Sequence, residues 1–361
     1  MSTDRSWANL GLTGPPVNLN RPPPRLFART RPYATIVAGY GRGRGIANML
    51  NVRPLEERDL PEGQRIVRRA FGTFFGVADP DSFWTDFDYV YGRFGCEHTA
   101  AFAADHDGTL AGVNFATNWG SVGFFGPLSV RPDLWDKGIA QPLVAAVSEQ
   151  FADWGTRHAG LCTFAQSTKH IWLYQKFGFY PRFLTAIMAA PAAASGPLPQ
   201  DARYTALAAG ERRAAEEASR ALSDEILDGL DLSAEIRTVA ARGLGDALLL
   251  WERSGQLGGF AVCHWGPASE AGADCLFIKF GAVRPGPGAS DRFGVLLDAA
   301  GALAIALGMA RVLVGVNTGR EQAYRQMMAR GFRSQMQVVT MHRPNEPAYS
   351  RPNDFVLDDW R

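Results

Sequence analysis

The chain has 361 residues, 46% of them hydrophobic and 20% charged, with a formal net charge of +1. That length can hold two domains with ample core, and the near-neutral balance excludes a global basic field for nucleic acid. No apolar run approaches the roughly 18–20 residues of a membrane span, so a cytoplasmic protein with no membrane partner is expected.

Residues 1–48 carry seven Arg and one acid, Asp4, among many Pro and Gly. This composition predicts a disordered extension. From Met49 onward strand and helix patterns alternate. "NVRPLEE" reads as a strand, and residues 59–70 read as a helix with Asp59 at the N-cap. Residues 71–95 hold nine aromatics in 25 positions. "TAAFAAD" and "TLAGVNFATNWG", joined at Asp107-Gly108, form a predicted hairpin. "GFFGPLSV" is the next strand. Ile139, Leu143, Val147 and Phe151 are spaced four apart and define one face of a helix. "AGLCTFAQ" is a strand, residues 169–176 a helix, and "FLTAIMAA" a strand. "PAAASGPLPQ" at 191–200 reads as a linker. Cys96, Cys162, Cys263 and Cys275 are scattered through apolar runs without C-x-x-C spacing, which points to buried reduced thiols and no metal site.

The second half repeats the first. "VRP" occurs at 130–132 and 283–285, and "GF" at 178–179 and 331–332, both 153 residues apart. The same offset matches Gly155 with Gly308 and Met188 with Met341. A duplicated domain is the economical explanation. The expected organisation is an α/β (α+β) chain with domains at 49–190 and 201–361.

The stretch Trp135-Asp136-Lys137-Gly138-Ile139-Ala140 lies between a strand and a helix. The first N–H groups of a helix lack intrahelical partners, and the helix dipole adds partial positive charge there. A diphosphate can rest on those groups if no side chain blocks it. Gly138 removes the obstruction, Ala140 minimises it, and Lys137 adds a cation.

At these residues the chain resembles the GNAT superfamily of acyl-CoA-dependent N-acyltransferases. The family loop, Q/R-x-x-G-x-G/A after a strand, is read here at Trp135 to Ala140, with Trp135 in place of the usual Gln or Arg. The family's later Tyr-x-x-x-Gly-Phe is read in "LYQKFGF", with Tyr174, Gly178 and Phe179. The resemblance implies two tandem GNAT-like domains, each a mixed, mostly antiparallel sheet flanked by helices. It implies acetyl-CoA or another acyl-CoA as co-substrate, held by Asp136, Lys137, Gly138, Ile139 and Ala140. Trp135 either packs under the loop or stacks on the cofactor. Backbone N–H groups of the strand at Leu128, Ser129 and Val130 would face the thioester carbonyl. Tyr174 occupies the position of the family's general acid. Ser167 stands where many members carry an Asn facing the cofactor arm. His170, one turn before Tyr174, is a second candidate for proton relay or cofactor contact. Glu97, His98 and Asp88 are candidates for a base.

The implied partner is a small-molecule primary amine, and an aromatic lining from residues 71–95 would favour an apolar or aromatic one. A monomer or homodimer is expected. The rival reading is a non-catalytic acyl-CoA-binding sensor. At the 153-residue offset, Gly138, Ala140 and Tyr174 become Asp291, Phe293 and Met327, so the second copy is expected to be degenerate.

Overall fold

In the computed structural model, which describes residues 50–193, 196–199 and 202–361, the first half runs β1 (Leu50–Pro54), α1 (Leu60–Phe74), β2 (Thr99–His106), β3 (Thr109–Trp119), β4 (Val122–Phe125), β5 (Ser129–Val130), α2 (Ala140–Asp153), β6 (His158–Phe164), α3 (Thr168–Gln175) and β7 (Tyr180–Pro191). The second half runs α4 (Ala209–Ile226), α5 (Ser233–Ala241), β8 (Gly245–Trp251), β9 (Leu257–Gly266), β10 (Gly272–Val283), α6 (Ala289–Ala306), β11 (Arg311–Asn317), α7 (Glu321–Ala329), β12 (Arg333–Arg343) and β13 (Val356–Asp358). The expected extension at 1–48 lies outside the described residues, and so does part of the 191–200 linker.

Local sequence explains most of these elements. Asp107 and Gly108 have φ of 50° and 78°, so the β2–β3 turn uses residues that tolerate left-handed backbone. On α2, the predicted apolar stripe is sealed: Leu143 and Val147 are 0% exposed and pack with Phe125 and Leu161 of the sheet. Two expectations change. Asp59 precedes α1 but does not cap it; its carboxylate turns back to the Glu56 N–H and to Arg53. The segment "GFFGPLSV" is not one strand but breaks at Gly126-Pro127 into β4 and β5. Pro127 has no N–H to give to a ladder, which is where a strand is free to part from its neighbour.

The repeat carries into three dimensions. β6 and β11 are both seven residues long, and they start 153 residues apart, as do α3 and α7, and β7 and β12. The described strands form a single 13-stranded sheet, eleven of them in the order β1-β2-β3-β4-β6-β12-β7-β11-β10-β9-β8, with β5 added on β3 and β13 on β10. The strand that closes each copy has crossed to the other copy. β12 pairs antiparallel with β6 of the first half, and β7 pairs antiparallel with β11 of the second. β7 and β12 also pair with each other at the centre of the sheet. The two halves thus share one hydrogen-bonded sheet.

Further contacts join the halves. Ala215, Leu222 and Ile236 of α4 and α5 share a core with Trp119, Val122 and Phe124 of the first half. β13 pairs with β10, and the chain after it reaches across to β6. There Trp360, 3% exposed, lies over Gly160; a Cβ at that glycine would stand 2.0 Å from the indole. Only glycine admits the ring at this position.

Candidate active site

The break in β4 opens a gap in the sheet. β4 runs parallel to β6, with register pairs from Val122–His158 to Phe124–Gly160. Beyond Gly126 the chain leaves β6, and β5 pairs with β3 instead, Val130 opposite Gly112. A Cβ at Gly112 would meet the Ser129 carbonyl at 2.8 Å and Leu143 at 3.1 Å, so the glycine lets β5 and α2 close over β3.

The loop entering α2 is pinned from below and open above. Trp135 donates its Nε1–H to the Val130 carbonyl at 2.8 Å and packs with the α2 core. Of its two expected roles, packing under the loop is the one its contacts fulfil. Asp136 and Gly138 both lie in the left-handed region, with φ of 65° and 81°. Among the described residues nothing stands within 4 Å of where a Cβ at Gly138 would be. Asp136, Lys137 and Gly138 are exposed, while Ile139 is 2% exposed and roots the helix start in the core. The N–H groups at the start of α2 therefore face an unobstructed approach. Asp136 brings a negative charge to this mouth, but Lys169 Nζ lies 2.5 Å from its carboxylate. That pair also ties the start of α3 to the loop.

Tyr174 on α3 is 7% exposed, and its ring meets Phe125, the last residue of β4, edge-on at 5.6 Å. Among the described residues its hydroxyl has no hydrogen-bond partner. Burial pushes its pKa up, so the phenol keeps its proton at neutral pH. His170 is half-buried, with its ring 5.4 Å from Phe74. Burial, and then the Lys169 charge, push its pKa down, so it is a neutral imidazole. Ser167 precedes α3 and caps nothing with its hydroxyl. Ser129 is 2% exposed and its hydroxyl is buried without a partner.

The aromatics of 71–95 gather at the end of β6. Phe74 stacks on Phe164 at 4.6 Å, Phe75 meets Phe164 edge-on at 5.2 Å, and Phe83 stacks on Trp84 at 4.7 Å. Phe124 opposite Gly160 is the last register pair of β4 with β6, and Phe164 lies four residues further along β6. The aromatic cluster therefore flanks the gap left by the β4 break.

None of the three base candidates is free. Glu97 accepts from Arg237 at 2.7 Å. His98, 5% exposed, is 3.0 Å from Glu235. Asp88 accepts the N–H groups of Tyr91 and Gly92, and burial pushes its pKa up. The sequence reading missed the cluster around them: Arg93, Glu235, Glu270 and Lys279, with His264 beside them, all buried between the halves. One signal was legible, a lysine inside the apolar strand "LFIKF" at residues 276–280.

The second copy differs at its loop from what the fixed offset assigns. α6 starts at Ala289, only 149 residues after Ala140, so it carries about one extra turn at its start. Asp291 consequently lies in the first turn of α6, and Phe293 is 0% exposed in the core rather than at the loop mouth. A pair of left-handed positions two residues apart recurs just before α6, at Gly286 and Gly288, with φ of 95° and 78°. This loop is closed by a side chain. Arg292 donates to the carbonyls of Arg284 and Pro287 at 2.9 Å, and its Nη1 lies 3.2 Å from where a Gly288 Cβ would stand. Met327, at the position of Tyr174, is fully buried. Among the described residues no group of three His, Cys, Asp or Glu side chains is placed to hold a metal ion, and no helix is long and apolar enough to cross a membrane.

A family model described as the acetyltransferase (GNAT) family matches residues 64–179. No curated protein matches the chain. Among solved structures, a putative acetyltransferase from Pyrococcus horikoshii is similar at 11% identity and a TM-score of 0.59, covering 88% of this chain and 97% of that one. A GCN5-related N-acetyltransferase from Sphaerobacter thermophilus is similar at 17% identity and 0.52, covering 81% and 95%. A tandem GNAT protein from the clavulanic acid biosynthesis pathway is similar at 15% identity and 0.50, covering 81% and 98%. At these identities the likeness is one of fold.

Proposed function

Because residues 64–179 form a GNAT-family acetyltransferase domain within a tandem GNAT fold, we propose that the first copy transfers a short acyl group from acyl-CoA to a primary amine. The observation that carries this reading is the pairing of an open glycine loop at the start of α2 with a buried, protonated Tyr174 beside the β4 break. Bound acyl-CoA would supply the activated thioester, with acetyl-CoA the expected form. The N–H groups of residues 136–140 and Lys137 would hold its diphosphate. Backbone N–H groups at Leu128 and Val130 would face the carbonyl as it gains charge, while Ser129, between them, pairs with Val113 of β3. The amine nitrogen would bond to the carbonyl carbon and release its proton to solvent, the C–S bond would break, and Tyr174 would give its proton to the departing thiolate. Ser167 and His170, at the start of α3, are assigned to the cofactor arm, with His170 the next candidate for the proton.

The aromatic cluster at Phe74, Phe75, Phe83, Trp84 and Phe164 favours an apolar or aromatic amine. The closed loop at Arg292 and the methionine at position 327 support a second copy that binds no CoA of its own. Titration calorimetry with acetyl-CoA tests both points, with one site per chain expected. Free-thiol release across a panel of amines tests turnover. Binding without turnover on any amine would favour the sensor reading, and absence of binding would refute the cofactor site.

A further inference from the structure

We infer that Arg93 is a positioning residue for the acyl-transfer centre, locked by Glu270 and Lys279 of the second copy, so that the second copy completes the site of the first. The inference rests on the reading that residues 126–130 receive the thioester carbonyl.

Arg93 is 2% exposed and commits every nitrogen. Its Nε donates to Glu270 Oε1 at 2.7 Å, its Nη1 to the Gly126 carbonyl, and its Nη2 to the backbone oxygen of Arg361. Burial opposes its charge, but Glu270 outweighs that and holds its pKa above the ordinary value. Gly126 has φ of 144°, a conformation that favours glycine, and it is the last residue before the break. Its N–H goes to the Phe115 carbonyl at 2.9 Å. Both polar groups of Gly126 are therefore fixed, one by β3 and the other by Arg93. Pro127 has no N–H, so the first donor after the break is that of Leu128. The Gly126–Pro127 peptide that Arg93 holds precedes the Leu128 peptide by one residue, and because the proline ring fixes φ only the Pro127 ψ lies between them, so Arg93 anchors the chain that carries that donor.

The second copy holds Arg93 in turn. Glu270 Oε1 also accepts from Lys279 Nζ at 3.0 Å, and Lys279 lies 3.2 Å from Glu235. Glu235 accepts from His98 and from the Trp119 indole, both at 3.0 Å. Two cations and two anions balance in a dry setting, where removing one leaves another uncompensated. Such a cluster fixes geometry because the planar guanidinium fork of Arg93 reaches three separate acceptors at once. The cavity among these groups is about 10 Å³, room for about one water and not for a substrate. The cluster therefore acts through Arg93 and not by binding the acceptor.

The test reads the carbonyl itself. Acetyl-CoA labelled with ¹³C at the thioester carbon is bound to the full-length protein, and the carbonyl stretch is recorded by isotope-edited infrared spectroscopy. In the wild-type protein, backbone donors shift the band to lower frequency than in free acetyl-CoA. Arg93→Met should lose at least about half of that shift, while calorimetric affinity for acetyl-CoA stays within about threefold because the diphosphate loop is untouched. Arg93→Lys, which keeps the charge and one donor, should recover part of it. An unmoved band in folded Arg93→Met would overturn the inference, since a purely structural role would lower the melting temperature without touching the band. If Arg93→Met does not fold, Glu270→Gln, which keeps volume and an acceptor, is read by the same rule. Failure of the wild-type protein to bind labelled acetyl-CoA would overturn the acyltransferase reading and this inference with it.

Discussion

Gly138→Asp separates the cost to the fold from the cost to the ligand. With φ at 81° and nothing among the described residues within 4 Å of the new Cβ, the substitution clashes with none of them. A non-glycine residue in the left-handed region costs about 1–2 kcal/mol, toward the low end for Asp. The protein should stay folded, with its melting temperature lowered by a few degrees. The new carboxylate would stand at the loop mouth, beside a diphosphate carrying two charges. Each pair of charges about 4 Å apart repels by about 1 kcal/mol in bulk water and about 4 at the effective dielectric of a protein surface. The sum is about 2–8 kcal/mol, a loss of at least about 30-fold in affinity. Calorimetry with acetyl-CoA at low and high salt measures it, with the penalty shrinking as salt screens the repulsion. Gly138→Ala carries the backbone cost without the charge and should bind more tightly than the Asp variant. An Asp variant within about threefold of wild-type affinity would refute the proposed diphosphate site.

Tyr174→Phe keeps the ring against Phe125 and removes only the donor, so kcat should fall about 10²–10⁴-fold with acetyl-CoA affinity intact; wild-type turnover would move the acid elsewhere, to His170 first. Stability should fall as pH drops from about 6.5 to about 4. Burial pushes His158 and His264 down to about 4 and His342 to about 3, so the unfolded chain takes up more protons than the folded one in that window. His264 alone accounts for about 3 kcal/mol at pH 4. Urea melts at pH 7, 5 and 4 measure the slope, and a flat profile would contradict the buried neutral imidazoles. Residues 49–195 expressed alone should aggregate, because β7 loses both its neighbours and β6 is left with an open edge. Co-expression with residues 196–361 should restore a soluble complex. A folded monomer of the first half on size-exclusion chromatography would show that the exchanged strands are dispensable.

What the sequence determined by itself is local. Strand and helix periods, the hairpin at Asp107-Gly108 and the glycine before α2 each depend on a few adjacent residues. The 153-residue repeat was legible because β6 and β11, α3 and α7, and β7 and β12 keep that spacing. The same spacing misplaced the second loop, since a loop four residues shorter and an extra turn of α6 cancel, leaving the offset of the flanking segments unchanged. Tertiary structure alone decided the partners. An alternating strand shows which face is buried but not which strand lies beside it, so β7 reads equally well as a neighbour of β6 or of β11. Arg93 and Glu270 are 177 residues apart, and nothing in either one's neighbourhood names the other. Their pairing exists because the shared sheet folds α5, β9 and β10 against the segment before β2, where the two charges are buried and each compensates the other.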